Sequence, residues 1–133
     1  MGALKFLLAV VAAGGALLVL GAAQQSAALS QVSPGLWEIA GIPGAKSPLR
    51  ECVADPIVLA QIEHRKRSCS RKATSDTGSQ TVVNYTCSAA DFGSSKMTVI
   101  TPRSMRIETQ GISDNLPFNY VLQARRVGDC PAR

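Results

Sequence analysis

Histidine and aromatic residues are scarce in this chain. Among 133 residues there is one His, His64, and aromatics make up 5%. A lone His offers no cluster of imidazoles and thiolates to hold a metal, so neither a metal nor a cofactor is expected. It also leaves a nucleophilic Ser, Thr or Cys short of its usual base. Close C-x2-C pairs are missing too. Cys52, Cys69, Cys87 and Cys130 are 17, 18 and 43 positions apart, which is not zinc-site spacing. Length removes a further class: a barrel enzyme of ~250 residues does not fit, and a single domain is expected. No internal repeat and no low-complexity tract is visible.

What is present begins with an export signal. Met1 to Lys5 carries one positive side chain, residues 6–20 are almost wholly apolar, and Gly21-Ala22-Ala23 are small. That is the pattern of a secretory signal peptide over residues 1–23, with cleavage expected before Gln24. Ser26-Ala27-Ala28 is a second possible site, and an uncleaved anchor helix is the alternative. Lys5 stays cytoplasmic under the positive-inside rule, so the rest of the chain is exported in either case. The expected location is periplasmic or secreted, with no membrane span after signal cleavage.

In an exported small domain, four Cys read as two disulfides. Three pairings exist, and Cys69–Cys87 with Cys52–Cys130 is favoured. Cys69 and Cys87 are equidistant from Gly78, inside the turn-rich segment 74–80 (TSDTGSQ). An antiparallel hairpin folded there sets the two Cys opposite each other, at the ~4.5–5.5 Å Cα separation a disulfide tolerates. A bulge that shifted the register would spoil this symmetry.

Residues 24–33 are small and polar without periodicity, and are expected to form a disordered lead. Residues 34–133 then read as one β-rich domain. Strands are expected at 36–40 and 48–53. Asp55-Pro56 starts a short helix over 57–64, with Ile57, Ala60 and Gln61 on one side. Strands at 65–73 and 80–88 form the cysteine hairpin. A second hairpin spans 96–101 and 104–110, and Phe118, Tyr120, Leu122 and Ala124 alternate in a last strand. The expected class is all-β: an antiparallel meander, a sandwich or a small open barrel with one short helix and two disulfides.

Candidate chemistry is sparse. Arg65, Lys66, Arg67, Arg71 and Lys72 form a basic run that suits an anionic envelope surface or, alternatively, a solvated edge strand. The run contains no aromatics, so nucleic acid is not an expected partner. His64 reads as a polar residue at a helix end. Glu38 and Glu108 are able to meet across a sheet, but nothing demands it, and the protein is not expected to be an enzyme. Gly35-Leu36-Trp37-Glu38 is the most distinctive local feature. Its Trp should be buried, with Arg125 or Arg126 stacked on its face, a contact worth ~0.5–2 kcal/mol.

The chain resembles the bacterial family called domain of unknown function 3617. The resemblance is carried by residues 34–39 (PGLWEI), Cys52, Cys69, Tyr85-Thr86-Cys87 and residues 124–130 (ARRVGDC). It implies a small, β-rich exported protein with four cysteines in a periplasmic setting, and it implies no activity. Gly35, Trp37, Glu38, Arg126 and Gly128 are its structural motif. The segment between Trp37 and Cys52 is short, so no ligand feature of a longer first hairpin is carried over. Two functions are then expected. One is a non-catalytic module for an apolar or amphiphilic envelope molecule, with Met97, Met105, Phe118, Tyr120 and Leu122 lining a cup, unless these residues are simply core. The other is a protein–protein or anionic-surface factor using residues 65–72.

Overall fold

The computed structural model describes residues 14, 15 and 26–132. The expected signal over residues 1–23 and its cleavage point lie outside these, 14 and 15 apart. Seven strands form one antiparallel open sheet: β1 (Gly35–Ala40), β2 (Leu49–Val53), β3 (Ser70–Asp76), β4 (Gln80–Ser88), β5 (Asp91–Thr101), β6 (Ser104–Ser113) and β7 (Leu116–Gly128). Their order is β2-β1-β7-β6-β5-β4-β3. Strands β3 to β7 are a meander of neighbouring hairpins, and β1 then pairs with β7. Of the three expected architectures, the open meander is the one formed.

Local chemistry explains the turns. Asp114 and Asn115 have φ of 49° and 62°, the left-handed pair that a two-residue hairpin turn needs. Pro102 sits in the turn between β5 and β6. The β3–β4 hairpin is less simple. Asp76 pairs with Thr81, which taken alone would set Cys69 against Ser88. A bulge between Ala73 and Ser75 shifts the register, so that Ser70 faces Thr86 and Cys69 faces Cys87. The bulge thus creates the symmetry it was expected to spoil. The bridges join Cys69 to Cys87, with Cα atoms 4.2 Å apart, and Cys52 to Cys130, with Cα atoms 5.4 Å apart.

Alternation gives the sheet an inner and an outer face. Four cross-strand rows run over the inner face. One is aliphatic, from Leu49 through Ile39, Ala124 and Met105 to Val99. The next holds Leu122, Ile107, Met97 and Thr81. A third holds Tyr120, Thr109, Ser95 and Val83. The last is Phe118, Gly111, Gly93 and Tyr85. Two 3₁₀ helices, η1 (Leu29–Gln31) and η2 (Pro56–His64), close this face with Leu29, Val32, Leu59, Ala60 and Ile62. Met97, Met105 and Leu122 are fully buried. The expected cup is therefore filled by the chain itself, and Phe118 and Tyr120 are half-buried at its margin.

Three further expectations are corrected. The helix at 57–64 is 3₁₀, starting at Pro56 with Asp55 accepting from the Ile57 N–H at 3.2 Å. Ala60 and Gln61 are buried as expected, with Leu59, Ile62 and His64 beside them, while Ile57 is half-buried, and Gln61 breaks the helix at φ −112°, ψ 38°. The lead is ordered from Ser26 onward. Leu29 and Val32 reach the core, the Asp76 carboxylate accepts from the N–H groups of Ala27 and Ala28, and the Gln31 amide donates to the Gly78 carbonyl. The N–H of Gly78, then those of Ala27 and Ala28, hold the Asp76 carboxyl below the usual carboxylate range. Finally, residues 65–69 form a turn, and β3 starts only at Ser70; the Gln61 amide holds this turn by donating to the His64 and Arg67 carbonyls.

Candidate binding face on the outside of the sheet

Among the described residues, no helix lies over the outer face. Its side chains fall into rows offset by one residue from those of the core. Ser70, Thr86, Phe92, Ile112 and Pro117 form one row, and Lys72, Asn84, Ser94, Gln110 and Asn119 the next. Between them lies the inward-pointing row of Tyr85, Gly93, Gly111 and Phe118, so backbone is the floor there. A hollow of about 660 Å³ lies over this floor, walled by Phe92, Ile112 and Pro117 on one side and by Asn84, Ser94, Gln110 and Asn119 on the other. Its size is within the ~300–1,000 Å³ of ligand pockets. Phe92 is 41% exposed in it.

A second hollow of about 370 Å³ adjoins the first, sharing Ser94, Gln110 and Asn119, and is lined beyond them by Lys96 and Glu108. Glu108 is held between Lys96 at 3.1 Å and Arg106 at 3.2 Å. Lys96 first, then Arg106, holds the Glu108 carboxyl below the usual carboxylate range. Glu38 repeats the pattern between Arg50 and Arg125, each at 3.3 Å. Glu38 and Glu108 do not meet: β7 lies between their strands, with Glu38 opposite Arg125 and Glu108 opposite Val121.

At the opposite end of the sheet the distinctive motif forms a structural closure. Gly35 has φ of 149°, and a Cβ there would lie 2.7 Å from the Gly128 carbonyl. Trp37 points inward, is fully buried, and donates its indole N–H to the Ser33 carbonyl at 3.0 Å. Glu38 points outward. Arg126 faces Trp37 across the β1–β7 pair, and its guanidinium donates to the Pro34 carbonyl at 2.8 Å and to Asp129. It is held by these oxygens, not by an indole face. Cys52–Cys130 crosses the same end. The family model described as protein of unknown function (DUF3617) matches residues 32–130, from the residue before this closure to its disulfide. The chain belongs to that family. No curated protein and no solved structure matches it.

In this DUF3617 domain the basic run does not act as one strip. Arg65 donates to the Ile62 carbonyl at 3.1 Å, Arg67 pairs with Asp91 at 2.8 Å, and Arg71 donates to Gln61 at 2.5 Å. Two of its guanidiniums therefore bind the end of η2, and the third binds the start of β5. Lys66 and Lys72 are exposed, and Lys72 points to the outer face beside Asn84.

His64 lies at the end of η2, but inside. It is 5% exposed, with Nδ1 2.9 Å from the Tyr85 hydroxyl and Nε2 3.4 Å from an Asp91 oxygen. Its ring packs edge-on against Tyr85 and Phe118, the two rings that cover Gly93 and Gly111. The Asp114 N–H, followed by Arg67, holds the Asp91 carboxyl well below the usual carboxylate range. Burial pushes both Tyr hydroxyls up, and the Tyr120 hydroxyl donates to Glu63 at 2.6 Å. This group anchors η2 to the sheet.

The outer hollow was missed in the sequence because the expected hairpin, 96–101 with 104–110, stops short of Gly93 and Gly111. Turn arithmetic would have found it. A hairpin through Pro102 that pairs Val99 with Met105 also pairs Gly93 with Gly111 and Phe92 with Ile112.

Proposed function

We propose that this DUF3617 chain is an exported, non-catalytic binding module for an apolar or amphiphilic molecule of the cell envelope. The observation that carries this reading is the outer hollow, where Phe92, Ile112 and Pro117 stand against an edge of amides. Apolar side chains contribute affinity and a few polar groups fix orientation, which is the usual composition of a small-molecule site. Export is supported by the N-terminal apolar run and by two disulfides, which persist in oxidising compartments.

A fluorescent apolar dye titrated into the mature protein tests the reading. Dye uptake should be insensitive to salt and lost in Phe92→Asp. Uptake that Phe92→Asp leaves unchanged would overturn it. The alternative, an anionic partner held by Lys66 and Lys72, is supported by the exposure of those two side chains. It requires binding that falls steeply between low and high ionic strength.

A further inference from the structure

The outer face carries more positive than negative charge. Arg50, Lys72, Lys96, Arg106 and Arg125 point outward from their strands, against the carboxylates Glu38 and Glu108. Each carboxylate is already shared by two cations. Lys72 makes no ion pair among the described residues, and it stands in the same cross-strand row as Asn84, Ser94, Gln110 and Asn119. Along the strands the surface thus changes in order. The apolar row of Phe92 and Ile112 comes first, then the amide row with Lys72 at its edge, then Lys96 with Arg106 behind it.

We propose that the occupant of the two adjoining hollows is a single-chain amphiphile with an anionic headgroup, bound as a monomer. Its chain lies on Phe92, Ile112 and Pro117. Its headgroup crosses the amide row and is held by Lys96 and Lys72. Several observations select this class. The apolar hollow is of one-molecule size and recessed between side-chain rows, which suits a monomer and not a bilayer surface. The amides beside it accept and donate hydrogen bonds to headgroup oxygens. The charge beyond them is complementary to an anion and repels a cation. Glu108, saturated by Lys96 and Arg106, offers little to a choline group. The inference rests on the amphiphile reading above and deepens it.

The test uses the mature protein and three dodecyl amphiphiles below their micelle concentrations: dodecyl phosphate, dodecylphosphocholine and dodecyltrimethylammonium. Titration calorimetry should show the phosphate binding about tenfold more tightly than either of the others, the effect of one charge-assisted contact. Lys96→Gln and Lys72→Gln, both at exposed positions, should each reduce that preference while leaving the fold intact by circular dichroism. Phe92→Ala should weaken all three amphiphiles alike. Equal affinity for the three headgroups overturns the anionic inference and leaves the amphiphile reading standing. Absence of binding by any of them overturns both. Binding to anionic phospholipid vesicles without binding to the dodecyl phosphate monomer overturns the proposed occupant in favour of a membrane surface.

Discussion

On the inner face Met97, Met105, Ile107 and Leu122 are sealed beneath η2 and the segment around η1, with no solvent exposure. On the other side of the same strands, Phe92 and Val121 are exposed and Ile112 is half-buried, among amides and charges. Both faces are produced by one alternating pattern, and the difference between them comes from what covers each. The described residues form two short helical segments, and both lie inside. Apolar residues there contribute stability, whereas apolar residues outside are left to meet something else. The size of a side chain therefore does not reveal its role. Phe118 is expected to line a ligand cup, yet its ring is packed against His64 on the inner side.

The contrast is broken most severely from within. Cys52→Ser with Cys130→Ser opens a loop of 78 residues. The chain-entropy model puts the loss at about 4.5 kcal/mol, against about 3 kcal/mol for the shorter bridge. Chemical denaturation should rank the two in that order. Cys69→Ser alone should leave Cys87 as the labelled thiol; labelling of Cys52 or Cys130 would contradict the pairing. Trp37→Ala should cost about 3–5 kcal/mol by the same measurement.

Ser95→Ala sharpens the comparison at smaller scale. Ser95 Oγ donates to the Ala60 carbonyl at 2.5 Å and lies 2.8 Å from Thr109 Oγ1, all of it buried. Its loss leaves a buried carbonyl unpaired under η2, and about 1–3 kcal/mol should go. Phe92→Ala on the outside should change stability by less than about 1 kcal/mol, while removing most dye binding.

Acid should act mainly through the η2 anchor. A carboxyl whose folded pKa lies below its unfolded value contributes stability above that unfolded value, and the contribution is lost as pH falls through the folded one. Asp91 is such a group. The stability difference between the wild type and Asp91→Asn should stay level above about pH 5 and shrink below about pH 4. A difference that grew on acidification would contradict the account. Arg65→Gln, at an exposed guanidinium bonded to one carbonyl, should have the smallest effect, within about 0.5 kcal/mol.

Much of the sheet was legible because its signals are local. Alternation in 118–124, Pro102 in its turn and Asp55-Pro56 at a helix start each act over a few residues. The expected strands at 36–40, 48–53 and 80–88 match β1, β2 and β4 to within one residue. The lead escaped notice because its order depends on Asp76, some 50 positions away in the chain. The helix type escaped because an Asp-Pro start serves an α-helix and a 3₁₀-helix alike. The outer hollow escaped because the expected hairpin stops short of Gly93 and Gly111, which face each other in the middle of a pair, under Tyr85 and Phe118.

The most direct test is to map a bound amphiphile by amide chemical shifts, using dodecyl phosphate on the isotope-labelled mature protein. The account predicts saturable shifts at Phe92, Ser94, Gln110, Ile112 and Asn119, with Ile39, Leu59, Ile62 and Met105 unmoved. Shifts centred on Leu59, Ile62 and Met97 would mean that η2 lifts and the ligand enters the core, which would contradict it.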